Sequence, residues 1–340
     1  MKSILIHILM LTTLLCLPLQ LHAGEIIINA VGDVMLAGRW APYLKQKGYD
    51  YPFNGVRKEL VSGDVNLANL ESPIATSGQE YTGKKFRFRA EPPVAKALRG
   101  AGFNLVTLAN NHSMDFGGEA LTETLQHLSD NGIASVGAGE NLPEARKMAL
   151  YAIKGKKIAF LGYSLTQPIE FFARQDRSGT PPGYEKLVAA DITNARSQAD
   201  YVIVSFHWGK EASETVQQYQ RTAAHRAIEA GADVIIGHHP HILQGVERYK
   251  SGIIFYSLGN FTFASKSTTA DVSAIIRLKF KDGQREAEIL PLDVLHRRVG
   301  FQPKLLTGVK GAVVIKKLNS LSERFNTEIQ SREGRYAIPF

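Results

Sequence analysis

Seven short apolar runs, each closed by turn-forming residues, constrain this chain more than any other feature. They are EIIINAV (25–31), DVNLANL (64–70), NLVTLA (104–109), KIAFLGY (157–163), YVIVSF (201–206), DVIIG (233–237) and IIFYSL (253–258). Their length, their β-branched content and their flanking glycines and polar residues mark buried strands rather than helices. Helix-patterned stretches lie between them at 92–102, 118–132, 187–199 and 213–231, with Gly132 and Gly231 where a helix C-terminus favours glycine. Strand alternating with helix defines an α/β fold. Later the style changes. VSAIIRLKF (272–280) and AEILPLDVL (287–295) flank the turn KDG (281–283) and read as an antiparallel pair.

The polar residues fall at the C-terminal ends of these runs. Asp33 follows INAVG, and Glu71 follows VNLANL. Asn110, Asn111 and His112 follow LVTLA, and His207 follows YVIVSF. His238, His239 and His241 follow DVIIG, and Asn260 follows IIFYSLG. In an open α/β sheet such ends share one edge, where ligands bind. Residues more than two hundred positions apart then converge.

Each residue has an ordinary reading taken alone. Gly32-Asp33 can form a turn, Glu71 can sit exposed beside a helix cap, and His207 can be a core histidine. The histidine inventory decides for a site. Of ten histidines, five (112, 207, 238, 239 and 241) lie in strand-end segments, while His127 and His225 lie on helices. Imidazole, carboxylate and amide oxygen without thiolate favour Zn, Mn or Fe. Asp33, Glu71, Asn111, His207, His239 and His241 offer six protein ligands, too many for one tetrahedral zinc and suited to two ions bridged by a carboxylate. Pro240 stiffens the loop so that His239 and His241 point towards one locus.

The segment Met1–Ala23 has one charge, Lys2, an apolar run, Pro18 and a small residue before Gly24, the layout of a secretory signal. The expected product is secreted or periplasmic; an uncleaved membrane anchor is the alternative. Cleavage removes Cys16, the single cysteine, and with it any thiolate ligand or disulfide. The formal net charge of +8 draws such a chain towards anionic material. The densest basic cluster, KKFRFR (Lys84–Arg89), lacks a nucleic-acid motif and reads as a solvated strand or loop. Two long loop-like segments, 72–92 and 166–186, are expected to be functional, the second as an ordered lid. The main domain is expected over 24–317, with a polar tail at 318–340.

Six motifs occur in order: GDVMLAGR (32–39), NLESPI (69–74), LANNHSMDFG (108–117), FHWGKE (206–211), GHHPHILQGVE (237–247) and YSLGNF (256–261). Together they resemble the CapA family of poly-γ-glutamate capsule biosynthesis proteins. That family is similar in fold to the calcineurin-like metallophosphoesterases, a four-layer α/β/β/α sandwich. The resemblance implies one or two divalent ions held by Asp33, Glu71, Asn111, His207, His239 and His241, with Glu71 at the bridging position and His112 as the acid outside the ligand sphere. Arg39, Asn110, Trp208, Glu211, His238 and Asn260 are expected to orient those ligands or touch substrate. Two departures stand out. The superfamily has Asp-x-His where Val34-Met35 follows Asp33, and aspartate where Glu71 stands. Two readings therefore stay open. One is a metal-dependent hydrolase acting on an envelope polymer or phosphoester. The other is a non-catalytic accessory that binds or escorts an anionic polymer, within a peripheral membrane or polymer-synthesis complex.

Overall fold

A computed structural model describes residues 24–263, 267–332 and 334–340 of the chain. The expected leader at 1–23 lies outside the described residues. Among the described residues, no helix is long and apolar enough to cross a membrane.

The chain begins with β1 (Ile26–Met35), α1 (Ala41–Lys47), α2 (Arg57–Leu60), β2 (Val65–Leu70), α3 (Pro93–Ala101), β3 (Leu105–Thr107), α4 (Gly117–Asp130) and β4 (Ala134–Val136). It continues through α5 (Leu142–Ala145), β5 (Ala149–Ile153), β6 (Lys156–Ser164), α6 (Glu185–Arg196), β7 (Tyr201–His207), α7 (Gln218–Glu229) and β8 (Val234–His238). Next come β9 (Val246–Tyr249), β10 (Gly252–Phe255), β11 (Asn260–Phe263), β12 (Val272–Lys281) and β13 (Gln284–Asp293). The last elements are α8 (His296–Val299), β14 (Lys304–Leu305), α9 (Gly308–Ser322), β15 (Gln330–Arg332) and β16 (Arg335–Pro339).

These strands make two sheets. One runs β15-β16-β13-β12-β1-β2-β3-β4, with β11 beside β1 and β14 beside β13; the other runs β5-β6-β7-β8-β10-β9. The period of two along each strand shows how they stack. Ile28, Leu67 and Leu105 of the first sheet share a buried cluster with Phe160, Ile203 and Ile236 of the second. Their sequence neighbours point the other way. Val31, Ala68 and Val106 pack under α3 and α4, while Leu161, Val204 and Ile235 pack under α6 and α7. Both faces of the central strands of both sheets are therefore covered, which explains why those strands read as continuous apolar runs. The result is the expected four-layer α/β/β/α sandwich.

The antiparallel pair forms as read, with Lys281 opposite Gln284 across Asp282-Gly283, both at positive φ (48° and 79°). That is the geometry of a two-residue type I′ hairpin. Gly132 and Gly231 sit just past α4 and α7 at φ 67° and 118°. The boundary expected at 317/318 falls inside α9, and β16 pairs with β13. Residues 318–340 are thus part of the sandwich. Their polarity reflects the edge strand β15, exposed throughout, while Leu318, Phe325, Ile329 and Ile338 are buried.

Candidate metal centre

The strand ends of both sheets meet where the sequence places its polar residues. On β1 the register against β2 slips between Ala30 and Asp33, which sets Asp33 opposite Asn69. Gly32 makes this route feasible: a Cβ there would lie 1.9 Å from the Gly259 carbonyl oxygen. The Asp33 amide donates to that same oxygen at 2.9 Å. At the other sheet, His239 and His241 both hold positive φ, 96° and 62°. Non-glycine residues seldom occupy that region, and such strain concentrates at functional sites. Here it turns two imidazoles inward around Pro240.

Two groups of ligand atoms result, each closed within 4.8 Å: Asp33, Glu71 and His241, and Glu71, His207 and His239. Glu71 belongs to both. Its Oε1 lies 3.7 Å from His207 Nε2 and 3.9 Å from His241 Nε2, beyond hydrogen-bond reach of either. Asn111 joins the second group through its amide oxygen, which accepts from His207 Nε2 at 2.9 Å. The six expected ligand residues are therefore together.

Their neighbours fix them. Asn69 Nδ2 donates to Asp33 Oδ1 at 2.8 Å and to Glu71 Oε2 at 3.2 Å. Asn110 Nδ2 donates to Asn69 Oδ1 at 3.0 Å and to the Leu70 carbonyl at 2.8 Å. His241 Nδ1 is shared between Asn260 Oδ1 at 3.0 Å and Asp33 Oδ2 at 3.1 Å, so Nε2 is the atom turned to Glu71. His238 Nδ1 lies 3.2 Å from Asp33 Oδ1. Asn110 thus braces Asn69, Asn260 shares the His241 ring with Asp33, and His238 lies beside Asp33. Such partners set ring orientation in metal sites.

The donor set fits divalent cations. Buried polar atoms ordinarily find partners. Here Glu71 Oε1, His239 Nδ1 and His238 Nε2 are buried without a hydrogen bond to any described residue. The electrostatics agree. Burial, then the charge of Asp33, pushes the Glu71 carboxyl well above the usual range. Burial also works to raise Asp33, but the His238 and His241 contacts outweigh it and hold that carboxyl well below the usual range. His241 is lifted to about 9: burial opposes this, and Glu71 and Asp33 overcome it. Burial, with His241, lowers His239 to about 3, and burial holds His207 well below its ordinary value. Glu71 and His241 thus both favour their protonated forms, and a divalent cation at these atoms would compete with those protons.

His112 lies just outside the ligand set. Its Nδ1 is 2.7 Å from Asp115 Oδ2, and the Phe88 ring packs on it at 4.7 Å. Lys84 enters here from the 72–92 loop, donating to Asp115 Oδ1 at 2.8 Å and to the Asn111 carbonyl. The same loop is tied down by Phe88 N to Asp115 Oδ2 at 2.8 Å and by Tyr81 N to the Asp115 carbonyl at 2.8 Å. Tyr81 in turn meets Phe171 of the 166–186 segment edge-on, with ring centroids 5.0 Å apart. Both long loops are ordered against the centre.

The sequence reading missed Asn69, Lys84 and Asp115. Asp115, three residues past His112 in NNHSMD, offered a signal; Lys84 was hidden in a run that looked solvated. One expected contact is corrected. Trp208 is fully buried, stacked on Phe206 at 4.7 Å with its N–H donated to the Tyr256 carbonyl at 2.9 Å. It belongs to the core under α6 and α7, because on β7 the residue after an inward His207 points to the opposite face. Arg39 sits over Trp40 at 5.9 Å and lines a cavity of about 490 Å³ with His296 and Arg297. Glu211 is exposed, close enough for its charge to raise both Glu71 and His241.

Known proteins resemble this chain. The profile of the bacterial capsule synthesis protein family PGA_cap matches residues 27–265. The capsule biosynthesis protein CapA of Bacillus anthracis is 31% identical over 278 residues, 79% of this chain and 68% of that protein. The PGA biosynthesis protein CapA of Bacillus subtilis (strain 168) is 33% identical over 267 residues, 78% of this chain and 70% of that one. Among solved structures, a candidate 5′-nucleotidase from Staphylococcus aureus superposes with a TM-score of 0.50 at 13% identity, covering 87% of this chain and 58% of its own. That likeness is one of fold. Six strand-end motifs, a shared buried carboxylate and a match over most of the chain converge: this protein belongs to the PGA_cap family of bacterial capsule synthesis proteins.

Proposed function

We propose that the chain is an exported, metal-dependent hydrolase of capsule or poly-glutamate biosynthesis, acting on a phosphoester or similar bond in an envelope polymer. The observation that carries this reading is Glu71, one carboxylate common to two ligand groups. Divalent ions held there, Mn, Fe or Zn by the chemistry of the donors, supply Lewis acidity and activate water. The protein's own part is geometric. Asp33, Asn111 and the three ligand histidines shape the pocket, and Asp115 fixes His112 through Nδ1. That leaves Nε2 of His112 as the ring nitrogen without this partner; to protonate a leaving oxygen it must first take up a proton, against the burial that lowers this imidazole's pKa.

A second reading is favoured by Met35. It is buried and apolar at the place where the first motif of the superfamily carries a histidine, so the group around Asp33 has three side-chain donors. On this account the chain is an accessory that binds or escorts an anionic polymer. One experiment separates the two. Protein prepared without chelator is assayed for bound metal and for cleavage of bis-p-nitrophenyl phosphate and γ-glutamyl chains, beside His239→Ala/His241→Ala. Hydrolysis that disappears with the metal in the double variant supports the hydrolase. Metal-free, folded wild type that binds polymer without cutting it, even after Mn, Fe and Zn are added back, overturns it.

A further inference from the structure

We propose that Lys84 is a positioning residue for His112, the half-buried third member of a Lys84–Asp115–His112 chain that aims Nε2 of His112 at the metal pocket. The inference rests on the hydrolytic reading for its catalytic consequence, and on geometry alone for its structural one.

Asp115 is fully buried, and both its oxygens are engaged. Oδ2 takes His112 Nδ1 at 2.7 Å and the Phe88 amide at 2.8 Å, while Oδ1 takes Lys84 Nζ at 2.8 Å. At 2.7 Å a carboxylate oxygen and an unprotonated ring nitrogen would face each other lone pair to lone pair. Nδ1 therefore carries the hydrogen and donates it to Oδ2. Lys84 Nζ also lies 3.0 Å from His112 Nδ1. An ammonium has no lone pair to accept with, so this is a close approach enforced by its other bonds. Those bonds are to Asp115 Oδ1 and to the carbonyl of Asn111, the residue before His112. The lysine thus ties the side chain that orients the imidazole to the backbone that carries it. Phe171 closes the far side, with its ring centre 5.5 Å from Nζ.

This position is supplied by the 72–92 loop, not by the sheets. Lys84 is the half-buried head of the KKFRFR run; Lys85 and Phe86 beside it are exposed. The stem crosses the loop and the ammonium ends among the strand-end residues. Without that charge, Asp115 keeps its bonds to His112 and Phe88, but Oδ1 loses its partner and the carboxylate is free to rotate. The imidazole then loses its fixed aim. Misplacement by about an ångström costs on the order of a hundredfold in rate.

The test uses the full chain with ¹⁵N-labelled histidine, metal-free and with zinc added, as wild type, Lys84→Met, Lys84→Gln and Lys84→Arg. The His112 resonances are assigned with His112→Gln. The expected wild-type spectrum shows a protected, downfield Nδ1–H for His112. Lys84→Met and Lys84→Gln lose or broaden it at unchanged zinc content, and Lys84→Arg retains it. If Lys84→Met does not fold, Lys84→Gln gives the reading. A folded Lys84→Met or Lys84→Gln protein with the wild-type His112 signal overturns the proposal. Cleavage of bis-p-nitrophenyl phosphate is the second readout, where kcat falls at least about tenfold with KM within about twofold. Absence of cleavage by wild type counts against the hydrolase, while the His112 spectrum still decides the role of Lys84.

Discussion

Glu71 Oε1 and His207 Nε2 stand 3.7 Å apart, both side chains buried, with no proton-sized bond between them. That gap repeats on the other side of the same oxygen, 3.9 Å from His241 Nε2. The two gaps make Glu71 unequal to its neighbours. His241→Ala removes a donor from one group only, and His239→Ala from the other only. Glu71→Ala empties both. We expect each single histidine variant to retain about one equivalent of metal where wild type holds two, and Glu71→Ala to retain almost none. Elemental analysis of proteins purified side by side without chelator reads this directly. Full metal content in Glu71→Ala contradicts a shared carboxylate.

Metal binding is expected to release protons. His241 is raised from 6.5 to about 9, and Glu71 is raised as well. A raised pKa means the folded, metal-free protein holds that proton more tightly than the unfolded chain. The His241 contribution to stability is therefore complete below about pH 6.5 and lost as pH rises through about 9. Metal competes for the same atoms, so its affinity moves the opposite way and strengthens as pH rises through that window. Calorimetric titration of zinc into the metal-free protein, in two buffers of different ionisation enthalpy, gives the protons released. His241→Ala should release fewer. A binding constant flat between pH 6.5 and 9 would show that His241 is not a ligand.

Much of this centre was legible because strand ends are legible. A buried strand is short, apolar and bounded, so its end can be placed closely: Glu71 and His207 lie within one position of the ends of β2 and β7, Asp33 two before the end of β1, and Asn111 four past β3. What failed was orientation. Trp208 follows His207 directly, and adjacent side chains on an extended chain face opposite ways, so one enters the pocket and the other enters the core. Asn69 was passed over for the converse reason: it lies within an apolar run and faces the pocket from inside β2. Lys84 could not be placed because its reach depends on how a long loop folds back, which no local pattern encodes. The tail read as polar because β15 is exposed throughout and β16 buries Ile338 alone.

Trp208 gives a prediction from its corrected place. It stacks on Phe206 and donates to the Tyr256 carbonyl at 2.9 Å, remote in role from the ligands. Trp208→Ala opens a cavity in the layer beneath α6 and α7, and such truncations cost about 3–5 kcal/mol. Trp208→Phe keeps most of the packing and leaves the Tyr256 carbonyl without its donor, at about 1–3 kcal/mol. Chemical denaturation measures both. The protein that remains folded should carry wild-type metal. Loss of metal in folded Trp208→Phe would return this residue to the site.

Deletion of 318–340 tests whether the sandwich needs its C-terminus. β16 pairs with β13 through Glu286–Pro339, Ala287–Ile338 and Glu288–Ala337, so its removal bares one side of a central antiparallel pair. The segment before it reaches the other sheet: Ser322 Oγ accepts from the Val246 amide at 2.8 Å and Thr327 Oγ1 from the Arg248 amide at 2.9 Å. Leu318, Phe325, Ile329 and Ile338 are all buried. At roughly 1.5–3 kcal/mol for each fully buried apolar side chain, their loss rivals the roughly 5–15 kcal/mol that typically holds a folded domain together. The truncated chain should be insoluble or unfolded by circular dichroism. A chain ending at 317 that melts cooperatively near the wild-type temperature would show that the C-terminal strands only decorate the edge.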